Sequence, residues 1–185
     1  PINTDPVKKM LESVAGELPL HQRIVAANFG LLKPFVAYFA ERIPMLNVFV
    51  RTTTAPTMLQ GSPKSNVLPT EAFAIVNHRI IPGETAESVK AFITKIIDDD
   101  RVSVEFSGGF GNPSEVASVD SMGFRTIRKT IKQVSPTDPI IITGLLPAAT
   151  DTRHYGDVSE DAYRFIYAEI NMDENRFHGT NERIK

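Results

Sequence analysis

The sequence contains no cysteine, which excludes disulfide bonds and thiol chemistry but leaves the compartment open. The formal net charge is only -2, so there is no broad electrostatic attraction to nucleic acid. No run approaches the roughly 18 consecutive apolar residues of a membrane span, and no signal peptide is visible. The sequence also lacks a Gly-x-Ser-x-Gly elbow, a phosphate loop, His-x-Asp, His-Glu-x-x-His and a Glu-Glu pair.

What is present fits a folded protein. The chain has 185 residues, of which 42% are hydrophobic and 23% charged, as expected for one ordinary domain or two small ones. The glycine- and proline-rich stretch "SGGFGNPSE" predicts a boundary that divides the chain into residues 1–110 and 111–185. Because the first residue is Pro1 rather than Met, we expect that the chain was cut from a longer one or that its start was removed.

The first part begins with helical and then strand-like sequence. Residues 20–42 are largely apolar with good helix formers, and Gly30 and Pro34 interrupt them. This predicts two short helices or one kinked helix. Residues 47–60 are rich in β-branched side chains and predict a strand, in which Pro56 indicates an edge position or a bulge.

A strand, a helix and another strand follow. Residues 71–80 predict the second strand, and Thr85 is the predicted N-cap of an amphipathic helix. Alternating apolar residues predict a third strand at 102–106. The fold class is therefore α+β: an antiparallel sheet with two helices on one face, a ferredoxin-like split βαβ arrangement whose first strand is missing.

The second part has the pattern of an α/β domain. Apolar spacing predicts an amphipathic helix through Phe124 and Val134. Residues 139–144 and 163–170 predict strands, the first of them buried on both faces as in a parallel sheet. About 75 residues are too few to enclose a good hydrophobic core by themselves, so we expect this part to be the end of a larger domain.

Two pairs of polar residues are candidates for ligand binding. Asn66, in a turn, offers an amide, and Arg79, near a strand end, offers a planar fork that matches a carboxylate. The alternative is a turn-forming Asn and a surface Arg. Asp151 and Arg153 follow an apolar strand, where α/β sheets place ligands, and Arg153 could clamp an anion. The alternative is a capping Asp beside a surface Arg.

Metal ligands are not evident from spacing. Asp151, His154 and Asp157 lie at spacings of three, but acidic and histidine side chains in a loop usually face solvent, so we reject a metal site there. His178, in "FHGTNERI", stands in a turn suited to a ligand. A zinc site needs three or four ligands, and no spaced partner of His178 is visible.

Several motifs together resemble one family. "RTTTAPTMLQGSPKSNVLPTEAFAIVNHRIIPGET", "TDTRHY", "YRFIYAEI" and "HGTNERI" are similar, in order and spacing, to carboxypeptidase S and its relatives. These belong to the co-catalytic zinc peptidases that include aminoacylase and acetylornithine deacetylase. The resemblance covers about residues 20–185 and implies a two-zinc α/β catalytic domain interrupted by a smaller lid that mediates dimerisation.

The resemblance also implies roles for particular residues. His178 matches the last zinc ligand, Asn66 and Arg79 match lid residues that help to hold substrate, and Arg153 matches the arginine that binds the substrate's free carboxylate. The other zinc ligands, the general-base glutamate, the first lid strand and the lid histidine have no counterpart in this sequence. We therefore expect an incomplete lid over residues 1–110, the end of the catalytic domain over 111–185, and no catalytic residue in the chain.

The implied activity is hydrolysis of the amide bond of peptides or N-acyl amino acids with a free C-terminal carboxylate. Two zinc ions per active site would serve the full-length protein, and we expect none in this chain alone. The expected partner is a second copy bound through the lid, with neither nucleic acid nor a membrane segment. The alternative is a non-catalytic dimerisation or interaction module derived from the same family.

Overall fold

The computed structural model describes residues 5–109, 111–168, 179, 180 and 182. It confirms the α+β class, with an antiparallel sheet and several helices. The helices are α1 (Asp5–Val14), α2 (Leu20–Ala27), α3 (Phe29–Arg42), α4 (Pro44–Asn47), α5 (Ala86–Ile97) and α6 (Met122–Val134). The strands are β1 (Thr53–Gln60) and β2 (Phe73–Arg79), and a short 3-10 helix spans Asp151–His154.

Two helices form where the sequence predicts two short helices or one kinked helix, and they are separated at Asn28. The backbone N–H and the side-chain amide of Asn28 both donate to the Ile24 carbonyl, at 3.0 and 2.9 Å, and end α2. The Asn28 carbonyl then accepts from Leu31 and Leu32 and begins α3. The predicted interruptions at Gly30 and Pro34 are wrong, because both residues lie inside α3.

The N-terminal helices enclose a small core. Val7, Phe29, Ala40 and Val50 are buried, with Leu11, Val36, Leu46 and Phe49 packed against them. The amide of Asn47 donates to the Glu41 carbonyl at 2.6 Å and accepts from Arg51 at 2.7 Å, which stabilises the turn after α4. No single helix among the described residues is long and apolar enough to cross a membrane. Only α2 and α3 taken together, across a 111° bend, have that length and composition.

The two strands form a hairpin whose register fixes the later geometry. Thr53 pairs with Arg79 at one end and Gln60 with Phe73 at the other. An irregularity of the register lies between Pro56 and Met58, and β1 is an edge strand of the sheet in the described residues, in line with the edge position or bulge predicted at Pro56. The first strand begins at Thr53 rather than at residue 47, because α4 occupies the start of the predicted segment.

Thr85 caps α5 as predicted. Its hydroxyl accepts from the Ser88 N–H at 3.1 Å, and its own N–H donates to the Ser88 hydroxyl at 3.0 Å, a reciprocal capping box. However, the predicted apolar face of α5 is poorly covered by the described residues, since Phe92 and Ile96 are 58% and 63% exposed. The Asn112 side chain accepts from the Ala86 N–H at 2.8 Å, so the glycine-rich segment packs at this helix start.

Three predicted strands are not formed in the described part of the chain. Residues 102–106 lie beside α5 instead, where Lys90 contacts the Glu105 carboxylate at 3.6 Å and the Phe106 ring at 5.2 Å. Residues 139–144 and 163–168 are also irregular. A strand needs a hydrogen-bonding neighbour, and the sheet in the described residues consists of β1 and β2 alone. By contrast, the helix predicted through Phe124 and Val134 is confirmed as α6.

Candidate functional site

Arg79 links the hairpin to the C-terminal part of the chain. It is the last residue of β2, and its Nη1 donates a hydrogen bond to the Pro147 carbonyl. Pro147 lies four residues before the 3-10 helix that carries Arg153. This contact therefore brings two of the candidate substrate-binding arginines to the same loop.

Asn66 lies elsewhere. It sits in the connection between β1 and β2, is exposed, and makes no side-chain hydrogen bond to the described residues. Arg79 stands at the opposite end of the 7-residue strand. At roughly 3.3 Å per residue, about 20 Å separates the two ends of the hairpin. Within one chain, the structure does not bring Asn66 and Arg79 to one small ligand.

Arg153 lies exposed in the 3-10 helix Asp151–His154. Its Nε donates to His154 Nε2 at 3.0 Å, which requires the neutral tautomer of His154 protonated on Nδ1. Within the described residues, no hydrogen bond engages the two terminal nitrogens of Arg153, which can therefore face a carboxylate. Thr150, not Asp151, occupies the N-cap position, and no ion pair joins Asp151 to Arg153.

A third arginine, which the sequence analysis did not single out, reaches the same loop. Arg164 Nε donates to the Thr150 hydroxyl at 3.3 Å, and its Nη2 donates to the Ser114 hydroxyl at 3.1 Å. The only signal in the sequence is a basic side chain in the apolar-rich stretch "YRFIYAEI", whose other charged residue is Glu169. The spacing of that stretch gave no reason to place it beside Arg153.

The described residues contain no ligand set for zinc. No group of three or more histidine, aspartate or glutamate side chains lies close enough to hold a metal ion in this part of the chain. His178, the predicted ligand, lies outside the described residues. What the described part offers is cationic and hydrogen-bonding side chains on a loop.

A shallow pocket of about 440 Å³ lies near this loop but does not include the predicted residues. It is open to solvent and lies between the turn before α5 and residues 112–116, with Glu84, Thr85 and Ser114 among its lining. Asn66, Arg79 and Arg153 are not part of it. Arg164 contacts its edge through Ser114, so the arginine-bearing loop defines the candidate site better than the concavity does.

Comparison with known proteins shows the family to which this chain belongs. The chain matches the family described as a peptidase dimerisation domain over residues 6–105, more than half of its 185 residues. It therefore belongs to the peptidase dimerisation domain family, which confirms the resemblance to carboxypeptidase S-like peptidases.

Individual relatives narrow the comparison. The chain is 36% identical to an N-fatty-acyl-amino acid synthase/hydrolase of Mus musculus, over 97% of this chain and 36% of that protein. It is 33% identical to the probable carboxypeptidase S-like 2 of Dictyostelium discoideum, over 98% of this chain and 36% of that protein. The chain thus spans about a third of the length of the curated relatives it matches. No solved structure matches it significantly.

His78, beside Arg79, gives a pH prediction. Its ring Nδ1 lies 3.1 Å from the Thr54 hydroxyl across the hairpin, and burial lowers the pKa of His78 below its ordinary 6.5. As pH falls through about 6.5, the unfolded state takes up this proton before the folded state does. We therefore expect the free energy of unfolding to decrease over that range, and the loss to level off below the folded pKa.

The His78 titration can be followed directly by NMR of the ring protons, with urea unfolding at about pH 7.5 and about pH 5 as the stability measurement. His78→Gln should remove part of the pH dependence of unfolding. Unchanged pH dependence in the variant, or a His78 pKa above 6.5, would contradict the expectation.

Proposed function

We propose that the chain forms part of a zinc-dependent hydrolase that cleaves the amide bond of peptides or N-acyl amino acids with a free carboxylate. The names of the relatives, an N-fatty-acyl-amino acid synthase/hydrolase and carboxypeptidase S-like proteins, support this class of substrate. The observation that carries the proposal is the contact of Arg79 with the Pro147 carbonyl, which gathers two arginines at one loop.

Within this chain, the proposed task is recognition of the substrate carboxylate. The terminal nitrogens of Arg153 match a carboxylate in a two-pronged geometry, because among the described residues its hydrogen bond is made by Nε, to His154. Arg79 adds a second positive charge at the same loop and orients the acyl side of the substrate. Asn66, at the far end of the hairpin, fits a substrate contact only at the site of a second chain.

Zinc would supply an activated water and stabilise the charge that develops on the scissile carbonyl. The described residues do not fit a zinc site, and His178 is the one residue of this chain that the family resemblance implies as a ligand. The remaining ligands and the general base would come from the rest of the whole protein.

This division of ligands can be tested by metal analysis. One histidine cannot hold zinc firmly, so the isolated chain should carry no stoichiometric zinc and hydrolyse no N-acyl amino acid. The whole protein should bind zinc, lose activity on chelation and recover it on zinc addition. Tightly bound zinc in the isolated chain would show that its own residues suffice and would overturn the division. Activity of the whole protein that survives complete metal removal would refute the zinc proposal.

Arg153 provides the sharpest test of carboxylate recognition. Arg153→Lys in the whole protein keeps the charge but loses the two-pronged geometry. We expect catalytic efficiency to fall by about ten- to a hundredfold, the value of one charge-assisted hydrogen bond of about 1.5–3 kcal/mol. Amidation of the substrate carboxylate should impair the wild type strongly and the variant much less.

Zinc content should be unchanged in Arg153→Lys, since Arg153 is not proposed as a ligand. The matched control is Arg128→Ala on α6, an exposed arginine without a hydrogen bond to the described residues. If amidation impairs wild type and variant equally, Arg153 does not bind the carboxylate and Arg79 becomes the better candidate.

A non-catalytic dimerisation module is the second candidate, because the family match covers residues 6–105 only. A reading frame upstream that encodes His-x-Asp and Glu-Glu pairs would favour the enzyme. Under either function we propose a homodimer through residues 1–110. Both strands of the hairpin have an outer edge unpaired within the described residues. In addition, the outer side of α3 exposes Leu31, Phe35 and Phe39 by 80%, 64% and 60%.

If the dimer forms through the exposed side of α3, a substitution on that side should weaken association. Burying a phenylalanine contributes about 1.5–3 kcal/mol, so Phe35→Glu should weaken association by roughly tenfold or more. The opposite face of α3 packs on the small core, and Phe35 is not part of that face, so the Phe35→Glu variant should stay folded. Sedimentation velocity at micromolar concentration measures the effect, with Lys33→Glu on the same helix as the control. A monomeric wild type, or a dimer equally tight in Phe35→Glu, would argue against this surface.

A further inference from the structure

Arg164 holds together three segments that are distant in sequence. One guanidinium donates to Thr150 on the loop of Arg153 and to Ser114 on the segment that packs at the start of α5. We propose that Arg164 is a positioning residue for the carboxylate site, acting through the loop that presents Arg153. The inference rests on the proposed function and adds a residue to its recognition site.

The residue before Arg164 explains why its backbone is well placed for this role. The Tyr163 hydroxyl donates to the Ser118 carbonyl and contacts the Ser121 hydroxyl at the N-cap of α6. Its ring lies 5.9 Å from that of Phe124. A Cβ at Gly123 would come within 3.1 Å of the Tyr163 ring, so the absence of a side chain there permits this close approach.

Asp161 adds a second anchor two residues earlier. Its carboxylate accepts from the Ser118 N–H at 2.6 Å. Residues 161–163 are therefore fastened to the segment before α6 by side-chain contacts rather than by strand pairing. Arg164 follows directly from this anchor and extends to Thr150 and Ser114.

The three arginines at the loop make no ion pair with the described residues, although Asp151 and Asp157 lie on the same loop. Arg79 bonds to the Pro147 carbonyl, Arg153 to the His154 ring and Arg164 to two hydroxyls, so all of these partners are neutral. No carboxylate of the described residues pairs with any of the three. The three arginines are exposed, so water screens the repulsion between their charges. A carboxylate bound near them would be attracted by their positive charges.

The geometry of Arg164 indicates an indirect role. Two separate nitrogens of one planar group reach Thr150 and Ser114, and a lysine ammonium on a flexible stem cannot reproduce that fixed fork. Removal of the guanidinium would free the loop between Pro147 and Arg153 from the segment at residue 114. Arg153 would then bind the carboxylate less often in its productive geometry, which weakens substrate binding more than turnover.

The test uses the whole protein with an N-acyl amino acid and its carboxamide analogue. Arg164→Ala should lower kcat/KM for the free carboxylate by about tenfold, mainly through KM, and change the carboxamide by less than about twofold. Arg164→Lys should not rescue the loss. Thr150→Val, which removes one of the two hydroxyls, should reproduce part of it, and Arg128→Ala should leave both substrates unaffected.

A double mutant separates positioning from an independent contact. If Arg164 acts through Arg153, the losses of Arg164→Ala and Arg153→Lys should be clearly less than additive. Fully additive losses, or equal losses on carboxylate and carboxamide, would overturn the proposal. Should Arg164→Ala fail to fold, Thr150→Val decides by the same substrate comparison.

A binding measurement keeps this inference distinct from the proposed function. The Arg153 Nε–H signal of the whole protein can be followed by NMR during titration with an N-acyl amino acid. The titration should shift this signal in both proteins, with a dissociation constant about tenfold higher in Arg164→Ala than in the wild type. A shift that depends on Arg164 in a whole protein that hydrolyses no N-acyl amino acid with zinc present would overturn the proposed function and support the positioning role. Equal binding in both proteins would overturn the positioning role.

Discussion

The register of the β1–β2 hairpin determines where the candidate site can form. Pairing of Thr53 with Arg79 places Arg79 at the end of the hairpin next to α4, and pairing of Gln60 with Phe73 places Asn66 beyond the other end. Because side chains alternate along a strand, a shift of one residue would turn Arg79 to the opposite face and away from Pro147. The register shifts between Pro56 and Met58, and the two strands remain paired on both sides of this irregularity.

Local hydrogen bonding explains which parts of the fold were predictable. The N-cap at Thr85 and the apolar spacing of α6 depend on residues three or four positions apart, so the sequence predicts both correctly, whereas the reciprocal bond from Ser88 was not predicted. The same holds for the hairpin, whose strands are neighbours in the chain. The break at Asn28 was missed because glycine and proline are stronger general signals than an asparagine, although here its side chain and backbone both end the helix.

Partners distant in sequence explain the rest. The strands predicted at 102–106 and 139–144 have the right composition, but composition does not supply the neighbouring strand that each would need. Arg164 was missed for a related reason. Its partners Ser114 and Thr150 are 50 and 14 residues away, and no periodicity in the sequence connects them. The motifs of the family resemblance did place Arg79 and Arg153 together as candidates, which periodicity alone could not.

The arginine-bearing loop is held by weak, exposed hydrogen bonds, and this has a consequence for how a ligand would bind. Hydrogen bonds to neutral partners at the surface contribute little net stability, so Arg79 and Arg164 orient the loop without fixing it rigidly. A carboxylate that engages Arg153 would add charge-assisted bonds to the same loop and order it further. Binding would therefore be coupled to the contacts with Pro147 and Thr150, and the specificity for a free carboxylate would belong to the loop as a unit. An isolated surface arginine has the same charge but no such contacts. All of the conformational entropy needed to order it would therefore be lost when the ligand binds, which would weaken the affinity.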